Sequence, residues 1–293
     1  MADKIFDDGF FQKLNTLKLS LTMRMNQGMS GARKSSAKGA SVEFSDFREY
    51  MLGDDIRRID WNAYGRMDKL FIKQFMEEKE AVYHIFLDTS KSMDFGDPQK
   101  SKLALQVAGA LSYLILNNLD RVYVTQVQEN ALSYGKGLSG RNAYKKILAQ
   151  LAGIRFDGKT TLAASITGRN ISSQGCSIII SDFLDPAGIE PVLRYLKYKK
   201  QQIVLIQILA EQEVHITQEG SLNLIDSETG ETVKVTVNRK MIEAYEQELS
   251  KLKSGLFRLA RKYEAGYIFA TTAEPIDRVL FDGMQSAGFV VNR

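Results

Sequence analysis

The stretch AVYHIFLDTSKSM, residues 81–93, sets an apolar run directly against a cluster of oxygen-bearing side chains. The run has the composition of a strand. Asp88, Ser90 and Ser92 then fall at alternate positions. The question is why a strand should end by presenting one carboxylate and two alcohols at one spot.

Working outward, the chain alternates between two rhythms. KSKLALQVAGALSYLILNN (100–118), GRNAYKKILAQLAG (140–153), TLAASITGRNISS (161–173), GIEPVLRYLKYKK (188–200), RKMIEAYEQELSKLKSGLFRLARKYE (239–264) and EPIDRVLFDGMQ (274–285) read as helices. RVYVTQV (121–127), a short ALSYG (131–135), CSIIISD (176–182), QIVLIQIL (202–209) and GYIFA (266–270) read as strands. SLNLID and ETVKVTV predict a small hairpin across SETG. Strands alternating with helices predict an α/β fold: a doubly wound, mostly parallel, Rossmann-type sheet covered on both faces. An order of 3-2-1-4-5-6, counted from AVYHIFLD, places strands 1 and 4 side by side where the order reverses, and ligands bind outside the carboxyl ends there. Asp88 ends strand 1 and Asp182 ends strand 4.

Upstream, residues 7–27 carry Phe10, Phe11, Leu14, Leu17 and Leu21 at helical spacing. The tract GMSGARKSSAKGAS (28–41) is small and polar, and reads as a flexible loop. From Gly9 to Val42 there is no acid, against the bases Lys13, Lys18, Arg24, Arg33, Lys34 and Lys38. In the segment GDDIRRIDW, Asp54 or Asp55 is a good N-cap, Gly65 a stop, and Trp61 a core anchor. The domain reading is an extension over 1–79 (helix, basic tract, GDDIRRIDW segment, strand) and an α/β domain over 80–293.

The composition bounds the class. The chain has 293 residues, a hydrophobic fraction of 44% and a net charge of +4. That is enough for a large core, and the charge does not by itself imply nucleic acid. No run approaches the ~20 apolar residues of a membrane span. The N-terminus lacks the pattern of a signal peptide. One cysteine, Cys176 in an apolar run, excludes an internal disulfide and fits a reducing compartment. The expectation is a soluble cytoplasmic protein.

All the donors gathered at the switch point are oxygens. Between Asp88 and Asp182 in sequence, FDGKTTL adds Thr160 and Thr161. Such a set suits a hard cation, Mg²⁺ or otherwise Mn²⁺ or Ca²⁺. Hydroxyls bind it without neutralising it, while the carboxylates orient waters and hydroxyls. A metal left electrophilic accepts a carboxylate from another molecule, so the partner expected is a protein offering an acidic side chain. D-x-S-x-S, then a Thr, then an Asp after an apolar strand resembles the metal-ion-dependent adhesion site of von Willebrand factor A domains. The resemblance implies metal ligation by Asp88, Ser90, Ser92, Thr160 and Asp182, with Thr161 as the alternative to Thr160. Phe183 departs from it, since Gly is more usual after the third acid. The segment VEFSDFREYMLGDDIRRIDWNAYGRMDKLFIKQFMEEKE (42–80), running into LDTSKSM, resembles the Domain of Unknown Function 58 family. That resemblance implies a bacterial protein working with MoxR-type AAA+ ATPases in assembly or chaperone work.

Other signals have simpler readings. GIRFDGKT (153–160) satisfies the P-loop pattern, which makes a P-loop ATPase the alternative function, but a P-loop needs a strand before its glycines and AYKKILAQLA has helical spacing. Nucleic-acid or membrane-surface binding through the basic N-terminus rests on charge alone. His84 lies inside strand 1 and reads as a packed imidazole, and His215 lies in a loop. Two histidines and one cysteine give zinc no support. No serine has a hydrolase setting, so no catalysis is expected.

Overall fold

A computed structural model of the chain describes residues 5–12, 14, 42–67, 69–77, 80–128, 136–159, 162–171, 174–184, 188–218, 220–225 and 231–280. The chain divides into two compact units, residues 24–80 on one hand and residues 1–23 with 81–293 on the other.

The smaller unit pairs β1 (Val42–Glu49) with β2 (Phe71–Glu77) in antiparallel register, with an irregularity between Phe44 and Asp46. Between them lies α1 (Trp61–Met67). Asp55 caps a short 3₁₀ turn, accepting a hydrogen bond from the Arg57 amide. The cap of α1 is Asp60, which accepts from the amides of Asn62 and Ala63 at 2.9 and 3.2 Å. Sequence reading missed that role, and it set Gly65 as a stop. Gly65 lies inside α1, which runs on to Met67. Ile59, Ala63 and Ile72 are buried here, but Trp61 is 64% exposed. The expectation of a core anchor is therefore corrected. α1 turns its Ala63 face inward and leaves the indole outside, in edge contact with Tyr64.

The larger unit contains β3 (Val82–Asp88), α2 (Lys100–Asn117), β4 (Arg121–Val127), α3 (Tyr144–Ala152), α4 (Leu162–Thr167), β5 (Gly175–Ser181) and α5 (Ile189–Tyr198). It continues through β6 (Gln201–Leu209), α6 (Glu211–Val214), β7 (Gly220–Ile225), β8 (Thr232–Val237), α7 (Arg239–Lys262) and β9 (Gly266–Thr271). The five-stranded sheet has the order β4-β3-β5-β6-β9, all neighbours parallel. This matches the expected order from strand 2 to strand 6. The short ALSYG run lies outside the described residues. Leu138, just beyond it, bridges antiparallel to Val122. β7 and β8 form the predicted hairpin.

Alternation explains the two cores. Ile85 and Leu87 of β3, Ile178 and Ile180 of β5 and Ile206 and Ile208 of β6 join one buried cluster with α2 and α3. Phe86, Ile179, Ile203 and Leu205 face the other way and join a second cluster with α4, α5 and α7. A sheet covered on both faces needs apolar side chains at both parities, hence the near-continuous apolar runs.

The described residues of the N-terminal segment group with this unit. Phe6, Phe10 and Leu14 are buried in the first cluster. A Cβ at Gly109 would meet the Phe6 ring at 2.9 Å, so that glycine admits the ring against α2. The Gln106 side chain fastens the segment by donating to the Ile5 carbonyl at 2.8 Å. Among the described residues no helix is long and apolar enough to cross a membrane.

Candidate functional site

β3 and β5 are adjacent, so Asp88 and the β5 end arrive together. Asp88 is fully buried and its two oxygens do different work. Oδ1 accepts from the Ser90 amide at 3.0 Å and Oδ2 from the Ser181 hydroxyl at 2.6 Å. Ser181 Oγ in turn accepts from the Phe183 amide at 3.0 Å. The Ser90 and Ser92 hydroxyls lie 3.0 Å apart, and Ser92 donates to Asp182 Oδ2 at 3.0 Å. Asp182 Oδ1 accepts from the Leu184 amide at 3.3 Å. Four of the five expected site residues are thus joined in one network. Thr160 and its alternative Thr161 lie outside the described residues.

The loop that leads to them borders the site. The Asp157 amide donates to the Thr89 carbonyl at 2.9 Å, and the Lys91 amide donates to the Gly158 carbonyl at 3.0 Å. This loop is the GIRFDGK run. It is entered from α3, with Gly153 as the helix C-cap. No strand enters the glycines, so the P-loop alternative lacks the element that would aim its amides at phosphate.

Besides Ser181, three participants escaped sequence reading. Gln207 of β6 donates to the Asp182 carbonyl at 2.8 Å and fixes the loop after β5. Lys100, the first residue of α2, is 0% exposed; its ammonium lies 2.9 Å from Asp182 Oδ2 and 2.7 Å from Glu213 Oε1. Glu213 Oε2 accepts from the Ala210 amide at 2.7 Å. Burial raises the Glu213 carboxyl above its usual range, while Lys100 opposes the rise. The signals were present: Gln207 is the one polar residue of IVLIQIL, and Glu213 follows a strand whose carboxyl end belongs to the site.

Phe183 departs from the glycine expected after Asp182, and its φ of +52° shows why glycine suits the position. Its ring is buried, and it lines a groove with Ile189, Leu252, Leu256 and Leu259 that Arg258 and Lys262 also line. The departure therefore exchanges an unstrained turn for an apolar contact beside Asp182.

The oxygen-only donor set fits a hard divalent cation. Ser90 and Ser92 present two hydroxyls at 3.0 Å, and Asp88 is held so that it orients Ser90 through the backbone. Among the described residues no group of three or more His, Cys, Asp or Glu side chains is placed to hold a metal. His84 is packed as expected, stacked on Tyr123 and Phe86. Burial, with Arg169 adding to it, lowers its pKa to about 4. His215 is exposed at a helix end, 3.6 Å from Glu211. Cys176 is buried and its thiol is pushed up to about 12, an inert state.

The sheet order, with the acid-and-hydroxyl network at the β3–β5 junction, makes the larger unit von Willebrand factor A-like. Among solved structures, the chain is similar to the conserved hypothetical protein BatB from Bacteroides thetaiotaomicron, at 15% identity and a TM-score of 0.36 over 62% of this chain and 98% of that one. It is also similar to the SpRpn10 VWA domain, at 10% identity and a TM-score of 0.42 over 73% and 100%. Uncharacterized proteins of Mycobacterium tuberculosis and Mycobacterium bovis are 26% identical over 226 residues, 74% of this chain and 70% of theirs. The model of the family described as protein of unknown function DUF58 matches residues 46–254, from the small unit's β1 into α7, and the chain belongs to that family.

Proposed function

We infer that this chain is a non-catalytic, metal-dependent protein-binding module. The single observation that carries the reading is the continuous hydrogen-bonded set Asp88–Ser90–Ser92–Asp182 at the carboxyl ends of two adjacent central strands. Ser90 and Ser92 would hold Mg²⁺ (or Mn²⁺ or Ca²⁺), with Asp88 and Asp182 behind them and Thr160 as the remaining hydroxyl. Bound there, the ion supplies a hard acceptor for a carboxylate from a partner protein. The chain's own residues do the rest. Ser181 and the Ser90 amide fix Asp88, Gln207 fixes the loop carrying Asp182, and the groove beside Phe183 offers apolar contact that one carboxylate cannot.

A MoxR-type AAA+ ATPase is the natural co-worker on the family resemblance, in cytoplasmic assembly or chaperone work. A partner in that setting must be released as well as bound, which a single metal–carboxylate contact permits. Titration calorimetry with Mg²⁺ on wild type and Ser90→Ala tests the reading. Heat from wild type that the variant loses is expected. Equal heats from the two proteins would sink it.

A further inference from the structure

A lysine is rarely sealed completely from water, and then only against acids. Lys100 is at 0% exposure. It also sits at the first position of an 18-residue helix whose first turn carries no acid. The positive end of the helix dipole disfavours a cation there. Asp182 and Glu213 offset both costs, each contributing one oxygen to the same nitrogen at 2.9 and 2.7 Å. Nothing in the packing of α2 requires a charge at this point, since the buried face of α2 is otherwise built from side chains such as Leu103, Ala104 and Val107. The ammonium takes up Asp182 Oδ2, the same oxygen that receives Ser92 Oγ. A fixed positive charge therefore already occupies a carboxylate oxygen at the edge of the hydroxyl set.

We propose that Lys100 is an internal counter-cation that positions Asp182 and sets the divalent-cation affinity of the site low. The proposal rests on the reading of Asp88, Ser90, Ser92 and Asp182 as a metal site. Like charges repel strongly where water is excluded. Lys100 competes for Asp182 and cancels part of the negative charge that would draw a second cation in. Glu213 shares the ammonium and so moderates the effect. Two substitutions then act in opposite directions. Lys100→Met frees Asp182 and tightens metal binding. Glu213→Gln leaves the full ammonium on Asp182 and weakens it.

The experiment is Mn²⁺ binding to the full chain, followed by electron paramagnetic resonance of free Mn²⁺, with circular dichroism and melting in EDTA as folding readouts. Lys100→Met is expected to bind Mn²⁺ about tenfold or more tightly than wild type. Its melting temperature should fall in EDTA and recover with Mn²⁺. Glu213→Gln should bind more weakly than wild type. A purely structural lysine would also give a less stable protein, but with equal or weaker Mn²⁺ binding, and that binding result overturns the proposal. If Lys100→Met does not fold, Lys100→Met/Glu213→Gln removes one of the two acids left uncompensated. It must then bind Mn²⁺ more tightly than Glu213→Gln alone, and equal binding overturns the proposal. Binding by Lys100→Met with none by wild type supports the counter-cation and refutes metal use by the native chain. Binding by neither refutes both.

Discussion

The two units give their acids different partners. In the larger unit Asp88 and Asp182 are buried, and each accepts from more than one donor. In the smaller unit Asp55 and the also buried Asp60 each cap the start of a helical turn by accepting from backbone amides, and Asp54 faces the Arg48 guanidinium at 2.8 Å. The apolar residues divide the other way. Helices seal both faces of the larger unit's sheet, while Met51, Leu52, Ile56, Trp61 and Met67 of the smaller unit stand exposed. In sequence the two sets of acids look alike. Whether an acid joins a network of side chains or caps a helix depends on what the fold brings to it, since Asp60 is itself buried.

The sharpest way to break this contrast is Asp88→Ala. It orphans the Ser90 amide and the Ser181 hydroxyl in a buried place. A loss of about 3–5 kcal/mol of unfolding free energy is expected, the scale seen when one member of a buried charged network is removed. Urea denaturation in EDTA measures it without any metal contribution. A loss under about 1 kcal/mol would mean that Asp88 is no more embedded than the caps of the smaller unit.

A second effect follows from His84, held neutral between Tyr123 and Phe86. Its native pKa is lowered to about 4, from an ordinary value of 6.5. As pH falls below 6.5 the unfolded chain takes a proton that the folded chain refuses. Stability contributed by the neutral ring is therefore intact above pH 6.5 and is lost progressively toward pH 4. The linked loss is about 2–3 kcal/mol. His84→Phe should flatten the pH dependence of the denaturation midpoint between those values. An unchanged slope would show that other groups carry it.

The sheet was legible because its strands are buried on both faces, and such strands advertise themselves as apolar runs such as CSIII and IVLI. The site was legible to the extent that its residues end those strands. Asp88 and Asp182 could be paired from strand order alone. Ser181 could not: it lies in an apolar run, and only the pleat reveals that its hydroxyl turns to Asp88. Lys100 was hidden by its neighbours, since PQKSK reads as a solvated helix start, and nothing in one sequence says that the first of its two lysines points inward. Residues 8–12 of the first helical segment were legible as helix, but the docking of Phe6 on Gly109 depends on a contact about a hundred residues away.

Asp60→Ala sharpens the comparison from the other side. The carboxylate caps α1 through the Asn62 and Ala63 amides. A loss of about 1–2 kcal/mol is expected, the usual range for removal of an N-cap. The loss should be local: amides of α1 should exchange faster with solvent deuterium while those of β5 and β6 do not. Equal acceleration in β5 and β6 would show that the cap supports the whole chain.

The smallest effect should come from the most conspicuous residue of the smaller unit. Trp61 is the only tryptophan in the chain and would, as a core anchor, be worth several kcal/mol on truncation. Its indole is nonetheless mostly exposed, and its described ring contact is the edge-on pair with Tyr64, 6.3 Å between centroids. Trp61→Ala should therefore change stability by about 0.5–1 kcal/mol, combining the scale of surface substitutions with that of one aromatic pair. Ile72→Ala, buried beside Ile59 in the same unit, should lose about 2–5 kcal/mol. Hydrogen exchange of the β1–β2 amides ranks the two variants in one measurement. If Trp61→Ala opens those strands as much as Ile72→Ala does, the indole is an anchor after all. The contrast between a sealed unit and an apolar surface would then fall with it.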